Sequence, residues 1–61
     1  MDKEYFRYLI KSAGYTSLDF AKLLELKLPT MQYKIRTESF HIKEAKKICK
    51  LLNKTFEEIF Y

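Results

Sequence analysis

The 61-residue sequence predicts an all-α fold made of five short helices. Apolar residues recur at spacings of three and four, which places them along one side of a helix. Residues that favour helix N-termini precede several of these stretches. No stretch alternates apolar and polar residues with the period of two that marks a β-strand. Because a chain this short has room for one core only, we expect a single domain spanning residues 1–61.

The first two helices are predicted by apolar stripes and by their end signals. The first stripe, which ends at Gly14, consists of Phe6, Leu9, Ile10 and Ala13. Thr16 is a good N-cap, and Asp19 lies three positions later, as in a capping box. We therefore expect a second helix from about Ser17 to Leu24, with three residues facing inward: Phe20, Ala21 and Leu24.

A third helix is predicted by Pro29, which is tolerated only in the first turn of a helix. The helix then begins near Leu28, with Met31 and Ile35 facing the core. This arrangement leaves a polar, cationic set of side chains for solvent or a ligand: Thr30, Gln32, Tyr33, Lys34 and Arg36.

Two further helices follow the segment Thr37 to Phe40. His41 and Glu44 have capping-box spacing, and Thr55 and Glu58 repeat it. The fourth helix carries the apolar stripe Ile42, Ala45, Ile48, Cys49 and Leu52, and its lysines lie off that stripe: Lys43, Lys46, Lys47 and Lys50. The fifth helix, after Asn53 and Lys54, carries Phe56, Ile59 and Phe60.

The positive charge is concentrated in the middle of the chain. The net charge is +4, yet nine cations face only three acids between Lys22 and Lys54. Such segregation is typical of polyanion binders, although lysine-rich faces also serve solubility alone. Met1 is followed by the charged stretch DKEYFR, and no long apolar run exists, so we expect no signal peptide and a cytoplasmic location.

The sequence offers no constellation for catalysis or for metal binding. His41 is the only histidine, and the single cysteine, Cys49, is expected to be a small buried hydrophobe. Gly14, the only glycine, cannot build a phosphate-cradling loop. We therefore expect neither an enzyme, nor a metal site, nor a cofactor, nor a small-molecule substrate.

The second and third predicted helices are short and joined by about three residues. Ala21 is small enough to let two helices cross closely, and Leu26 in the turn is expected to pack into the core. The second of the pair is cationic on its open face. This is the arrangement by which a helix-turn-helix, here about residues 16–36, places its second helix in the major groove of DNA.

Here the sequence resembles a known family. The segment TSLDFAKLLELKLPTMQYKIR, followed by FHIKEAKKICKLLNKTFEEIF, is similar to the Cro/CI-type phage repressor domains of the XRE family, which have the lambda-repressor-like fold. Two positions depart from the family pattern. Glu25 stands where the turn usually has glycine, and Lys27 where the helix usually has a Ser or Thr N-cap. Met31 and Ile35 are also four residues apart, where many members have three.

The resemblance implies a set of DNA-contacting residues. The groove-facing positions are Lys27, Leu28, Pro29, Gln32, Tyr33 and Arg36. Gln32 suits an adenine edge, Arg36 a guanine or a phosphate, and Leu28 a thymine methyl. Tyr33 is placed either to meet a base or phosphate or to cover the helix pair. Backbone phosphates would be met by Thr16, Ser17 and Lys43.

The resemblance further implies a transcriptional repressor that binds a pseudo-palindromic operator in double-stranded DNA as a homodimer. The predicted dimer interface is an apolar group near the C-terminus, consisting of Leu51, Phe56, Phe60 and Tyr61. The same group supports an alternative from another class, a protein-interaction module of the antitoxin or antirepressor kind.

Overall fold

The computed structural model describes all 61 residues and contains five α-helices and no strand. They are α1 (Lys3–Ser12), α2 (Ser17–Leu23), α3 (Leu28–Thr37), α4 (Ile42–Leu52) and α5 (Phe56–Phe60). The predicted all-α architecture of five short helices is therefore confirmed. Helix α2 ends one residue earlier than predicted, because Leu24 forms its C-cap. None of the helices has the length and apolar character needed to cross a lipid bilayer.

Side-chain caps begin three of the helices. The Thr16 hydroxyl accepts the Asp19 N–H at 3.1 Å, and the Asp19 carboxylate accepts the Thr16 N–H at 3.3 Å. Thr55 and Glu58 form the same reciprocal pair at the start of α5, at 3.3 and 3.1 Å. The capping boxes predicted at α2 and α5 are confirmed, and at the third predicted pair the Glu44 carboxylate accepts the His41 N–H at 2.9 Å. Helix α1 begins with a simpler cap made by the Asp2 side chain.

Every helix contributes to one hydrophobic core. Four large side chains at its centre have essentially no solvent exposure: Phe6, Phe20, Met31 and Ile48. Around them lie further buried residues from all five helices: Leu9, Ile10, Ala21, Leu24, Ile35, Leu52 and Ile59. The predicted inward faces of α2 and α3 are confirmed.

The predicted stripes of α1 and α4 extend one residue too far. Ala13 is exposed, because it is the C-cap of α1 and lies beyond the end of the core. Ile42 is 74% exposed, because it is the first residue of α4 and precedes the first turn that meets the core at Ala45. Cys49 is half-buried, and this partial burial raises the pKa of its thiol.

A chain of aromatic rings links the C-terminal region to the core. Phe40 lies 5.9 Å from Phe6 and 6.3 Å from Phe60, measured between ring centroids. Phe60 stacks on Phe56 at 4.9 Å. Phe60 is half-buried against the core, and so is Leu51, so only part of each side chain is open to a partner. Of the predicted dimer residues, only Phe56 and Tyr61 remain largely exposed.

The N-terminus reaches across to the end of α3. The Met1 ammonium donates to Glu38 Oε1 at 3.0 Å, and Lys3 Nζ lies 4.0 Å from Glu38 Oε2. Glu38 is the C-cap of α3 and adopts a left-handed backbone conformation with φ of 54°. The contact thus joins residues 37 positions apart in the chain.

Candidate nucleic-acid interface

The open face of α3 is defined by the residues on its opposite side. Met31 and Ile35 are buried, which fixes the rotation of the helix about its axis. Successive residues are offset by about 100° around an α-helix. Pro29, Gln32 and Arg36 therefore project together away from the core, and all three are exposed.

Tyr33 and Arg36 form a pair on this face. The Arg36 guanidinium carbon lies 5.4 Å from the centre of the Tyr33 ring, within the range of a cation–π contact. Tyr33 is 54% exposed, so it does not serve as a buried cover for the helix pair. The ring restricts the arginine to a smaller set of positions above the helix.

The first turn of α3 is less well supported than its middle. Lys27 is the N-cap but makes no side-chain capping hydrogen bond. Glu25, in the preceding turn, has φ of 59°. Residues other than glycine adopt this left-handed backbone conformation at a cost in free energy. These two residues therefore leave α3 without a side-chain cap, after a turn in which a residue other than glycine is left-handed. Leu28 is half-buried against the core, which leaves only part of its side chain for a ligand.

Lys34, predicted to be free for solvent or a ligand, is engaged elsewhere. Its ammonium donates to both carboxylate oxygens of Glu44 in α4, at 2.8 and 2.9 Å. The His41 N–H donates to the same carboxylate at 2.9 Å. Burial acts to raise the pKa of Glu44, but the Lys34 ammonium and the His41 N–H outweigh it, and the pKa lies below its ordinary value.

The capping box reduces the number of hydrogen-bond donors that the start of α2 can offer to a phosphate. The Thr16 N–H is donated to Asp19, so it is not free for a ligand. The hydroxyl and N–H of Thr16 hold the pKa of Asp19 below its ordinary value, and this side chain stays a carboxylate at neutral pH. Ser17 is exposed, and neither its hydroxyl nor its N–H is hydrogen-bonded. Of the two predicted residues, Ser17 is the one open to a ligand.

Most of the cationic side chains are exposed and have no acidic partner. Three of the twelve are in ion pairs, namely Lys3, Lys34 and Lys54. The remaining nine are exposed and lie more than 4 Å from every carboxylate: Arg7, Lys11, Lys22, Lys27, Arg36, Lys43, Lys46, Lys47 and Lys50. This set includes all three predicted cationic contacts, Lys27, Arg36 and Lys43.

The predicted residues thus divide between helices. Lys27, Pro29, Gln32, Tyr33 and Arg36 belong to the start and the open face of α3. The other exposed predictions, Ser17 and Lys43, lie in the first turns of α2 and α4. No hydrogen bond or ion pair links either of these two residues to α3.

Two clefts lie outside this face, and the sequence analysis identified neither. The larger, about 570 Å³, lies between α1 and the start of α2, and its lining includes Arg7, Tyr8, Lys11 and Tyr15. The smaller, about 230 Å³, is mainly apolar and is lined by Met1, Glu38, Phe40, Ala45, Phe56 and Phe60. The smaller cleft brings together residues from both ends of the chain, such as Met1 and Phe60, and helical periodicity does not reveal such a meeting. Comparison of the chain with protein-family models, curated proteins and solved structures found no match.

Proposed function

We propose that this chain is a sequence-specific DNA-binding regulator of the helix-turn-helix type, similar to the Cro/CI phage repressors. In this proposal α2 crosses the DNA backbone, residues 24–27 form the turn, and α3 lies in the major groove. The observation that carries it is the division of α3 into two sides. Buried Met31 and Ile35 fix one side, while the other presents Gln32 and Arg36 to solvent with no acidic partner.

The chemistry of the open face fits base recognition. A glutamine amide pairs with the edge of adenine, and an arginine guanidinium pairs with guanine or with a phosphate. The exposed Tyr33 ring keeps Arg36 above the helix, which reduces the number of conformations lost on binding. The nine unpaired cations supply the sequence-independent attraction to phosphates.

The proposal includes a homodimer acting as a repressor on a pseudo-palindromic operator. Two copies related by a twofold axis would place their α3 helices about 34 Å apart, one turn of the double helix. Selection of bound sites from a random duplex library tests sequence preference directly. An enriched site of two inverted halves is the expected result. Recovery of unrelated duplexes only would contradict sequence-specific binding.

Salt dependence tests the electrostatic part of the proposal. The affinity is expected to fall with a log–log slope of about −0.9 per neutralised phosphate, or roughly −6 for seven contacts per dimer. A titration between low and physiological salt measures this slope. A slope near zero would show that phosphate contacts do not hold the complex together.

Gln32→Ala and Arg36→Ala test α3 as the reading helix. Both residues face solvent, so stability should change by no more than about 0.5 kcal/mol. Loss of a base contact should cost about 1 to 3 kcal/mol of binding and relax one base position, whereas loss of a phosphate contact weakens all duplexes alike. Thr30→Ala, also exposed on α3, is the matched control. If both variants bind every duplex as tightly as the parent does, α3 is not the helix that reads the DNA sequence.

A second candidate is a protein-interaction module, and the exposed C-terminal aromatics favour it. Phe56 is half exposed and lines the 230 Å³ cleft, while Tyr61 is 93% exposed. Phe56→Glu should abolish self-association or partner binding without affecting the open face of α3. Sedimentation of the parent and the variant over a range of concentrations decides, with Tyr5→Glu as a control on another exposed aromatic.

A further inference from the structure

The cleft between α1 and the start of α2 is large enough to hold a small molecule. Its volume is about 570 Å³. Sites for small molecules commonly measure about 300 to 1,000 Å³, and a cavity of about 150 Å³ holds a single benzene ring. The lining includes two tyrosines, two cationic side chains and one carboxylate. The cleft therefore has room for a ligand larger than one ring, and side chains that can recognise it.

Arg7 and Lys11 supply the positive charge of the cleft. They are four residues apart on α1, so their Cβ atoms are about 5 to 6 Å apart on the same face of the helix. Both are exposed, and both lie more than 4 Å from every carboxylate, including that of Glu4 in the same lining. Two like charges at this spacing repel each other. An anion bound between them would relieve that repulsion.

Each tyrosine ring of the cleft is held by a second aromatic ring. Tyr8 is 62% exposed and lies nearly parallel to Tyr5, with 6.3 Å between the ring centroids. Tyr15 is half-buried, and its ring packs against the fully buried Phe20 at 5.6 Å. Rings that are already restricted lose little conformational freedom when a flat ligand stacks on them. The two tyrosines therefore suit an aromatic ligand.

The pair of cations favours a phosphate monoester over a carboxylate. One arginine can satisfy both oxygens of a carboxylate, which would leave Lys11 without a partner. A phosphate monoester has three acceptor oxygens and a charge of about −1.5 to −2 at pH 7, so it can neutralise both cations. Glu4 is seven residues from Lys11, or about 10 Å along the helix axis, and repels a phosphate at its own end of the cleft.

We propose that this cleft binds a nucleoside monophosphate, a ligand that joins an aromatic base to a phosphate monoester. The base stacks on the exposed ring of Tyr8, and the phosphate lies between Arg7 and Lys11. The hydroxyl of Ser17, exposed on the same lining and without a hydrogen-bond partner, is open to a phosphate oxygen. This site lies outside the open face of α3, and the inference does not depend on the proposed DNA-binding function.

Titration of the isotope-labelled chain with adenosine monophosphate, followed by nuclear magnetic resonance at constant ionic strength, tests the site. The amide signals of the cleft residues should shift and saturate. Adenosine and inorganic phosphate each carry only part of the ligand, and each should bind about tenfold more weakly or worse. If adenosine monophosphate does not saturate these signals, or binds no more tightly than inorganic phosphate, the proposal is wrong.

Lys11→Gln and Lys22→Gln separate a site from diffuse attraction between the basic protein and an anion. Each variant removes one exposed, unpaired lysine from the last turn of a helix, and only Lys11 lines the cleft. Lys11→Gln should weaken binding of adenosine monophosphate by about tenfold. Lys22→Gln should change it by less than about twofold, because salt screens distant exposed charges. Equal losses would overturn the proposal.

Tyr8→Leu tests the stacking of the base. It should weaken binding of adenosine monophosphate by about tenfold, whereas Tyr61→Leu, at a tyrosine that is 93% exposed and outside the cleft, should leave it unchanged. Circular dichroism confirms that each variant is folded. A Tyr8→Leu variant that binds as tightly as the parent would show that no base stacks there, which contradicts the proposal.

A nucleic-acid strand offers the same base and phosphate, but each of its phosphates is a diester with one charge. The dinucleotide adenylyl-adenosine contains such a diester. It should bind more weakly than adenosine monophosphate, because a single charge leaves one of the two cations without a partner. If the dinucleotide binds as tightly as the monophosphate in the same titration, the cleft holds a strand and not a free nucleotide, and the proposal is wrong.

Discussion

The beginnings of α2 and α3 are separated by eleven residues and are built in opposite ways. Helix α2 starts with a complete capping box, in which Thr16 and Asp19 satisfy each other's N–H groups. Helix α3 starts at Lys27, which provides no side-chain cap, after Glu25 in a left-handed conformation. Local hydrogen bonds therefore fix the start of α2, whereas the start of α3 depends on Pro29 and on packing against the core.

The comparison shows that α3, unlike α2, begins without the side-chain cap that usually starts a helix. A sequence usually violates such rules where function or packing requires it. Here the departure falls on the helix that we propose reads DNA, and the buried side chains behind it compensate. The stability of α3 should therefore respond strongly to core substitutions and weakly to substitutions at its N-cap.

Met31→Ala should have the largest effect. Met31 is fully buried and anchors α3, so removing its side chain should cost about 2 to 5 kcal/mol of the free energy of unfolding. In a domain of this size that is most of the stability. Met31→Leu conserves volume and should cost less than about 1.5 kcal/mol. Urea denaturation followed by circular dichroism measures both, and equal small losses would show that the core does not hold α3.

Thr16→Ala and Lys27→Ala compare the two helix starts directly. Loss of the Thr16 cap should reduce the free energy of unfolding by about 1 kcal/mol. Lys27→Ala removes no capping bond and should change it by less than about 0.5 kcal/mol. Chemical denaturation of the two variants measures both changes in the free energy of unfolding. A larger loss for Lys27 would mean that its side chain supports α3 in some other way.

Glu25→Gly should stabilise the protein by about 0.5 to 1 kcal/mol. Glycine relieves the left-handed conformation, which costs about 1 to 2 kcal/mol for other residues, but it also gives the unfolded chain more freedom. Asn53 has nearly the same backbone conformation, with φ of 54°. Because asparagine tolerates this region better, Asn53→Gly should gain less. Thermal unfolding tests the ranking of the two variants.

The acid limb of the stability curve should reveal the α2 capping box. Thr16 lowers the pKa of Asp19 below its ordinary value of 3.8, so the carboxylate contributes stability above that pH. This contribution is lost as the pH falls through the lowered pKa. Asp19→Asn should therefore flatten the decline in melting temperature below about pH 4. The first turn of α3 has no acidic residue that could act in this way. An Asp19→Asn variant whose melting temperature follows the same acid profile as the parent would contradict this account.

Local signals were sufficient to predict the helices. Capping pairs such as Thr16 with Asp19 depend on residues three apart, and the stripe of α2 depends on spacings within two turns. Pro29 fixed the start of α3 even though Lys27 gave no cap. The buried sides of α2 and α3, and hence the exposure of Gln32 and Arg36, followed from the same periodicity.

Features that depend on tertiary packing were not predictable in this way. Lys34 and Glu44 are ten residues apart on different helices, so no helical spacing connects them. Ile42 is apolar and in phase with its stripe, yet the core does not extend to the first residue of α4. The half-burial of Phe60 depends on Phe40, which precedes α4 and reaches it only in the folded chain.

The contact between the Met1 ammonium and Glu38 has a practical consequence for producing this protein. An affinity tag fused to the N-terminus converts that ammonium into an uncharged amide and leaves Glu38 with only Lys3, at 4.0 Å. The fusion therefore removes an ion pair from the C-terminal end of α3, 37 residues away from the point of attachment. Tyr61 is 93% exposed, and a tag attached there keeps the Met1 ammonium charged.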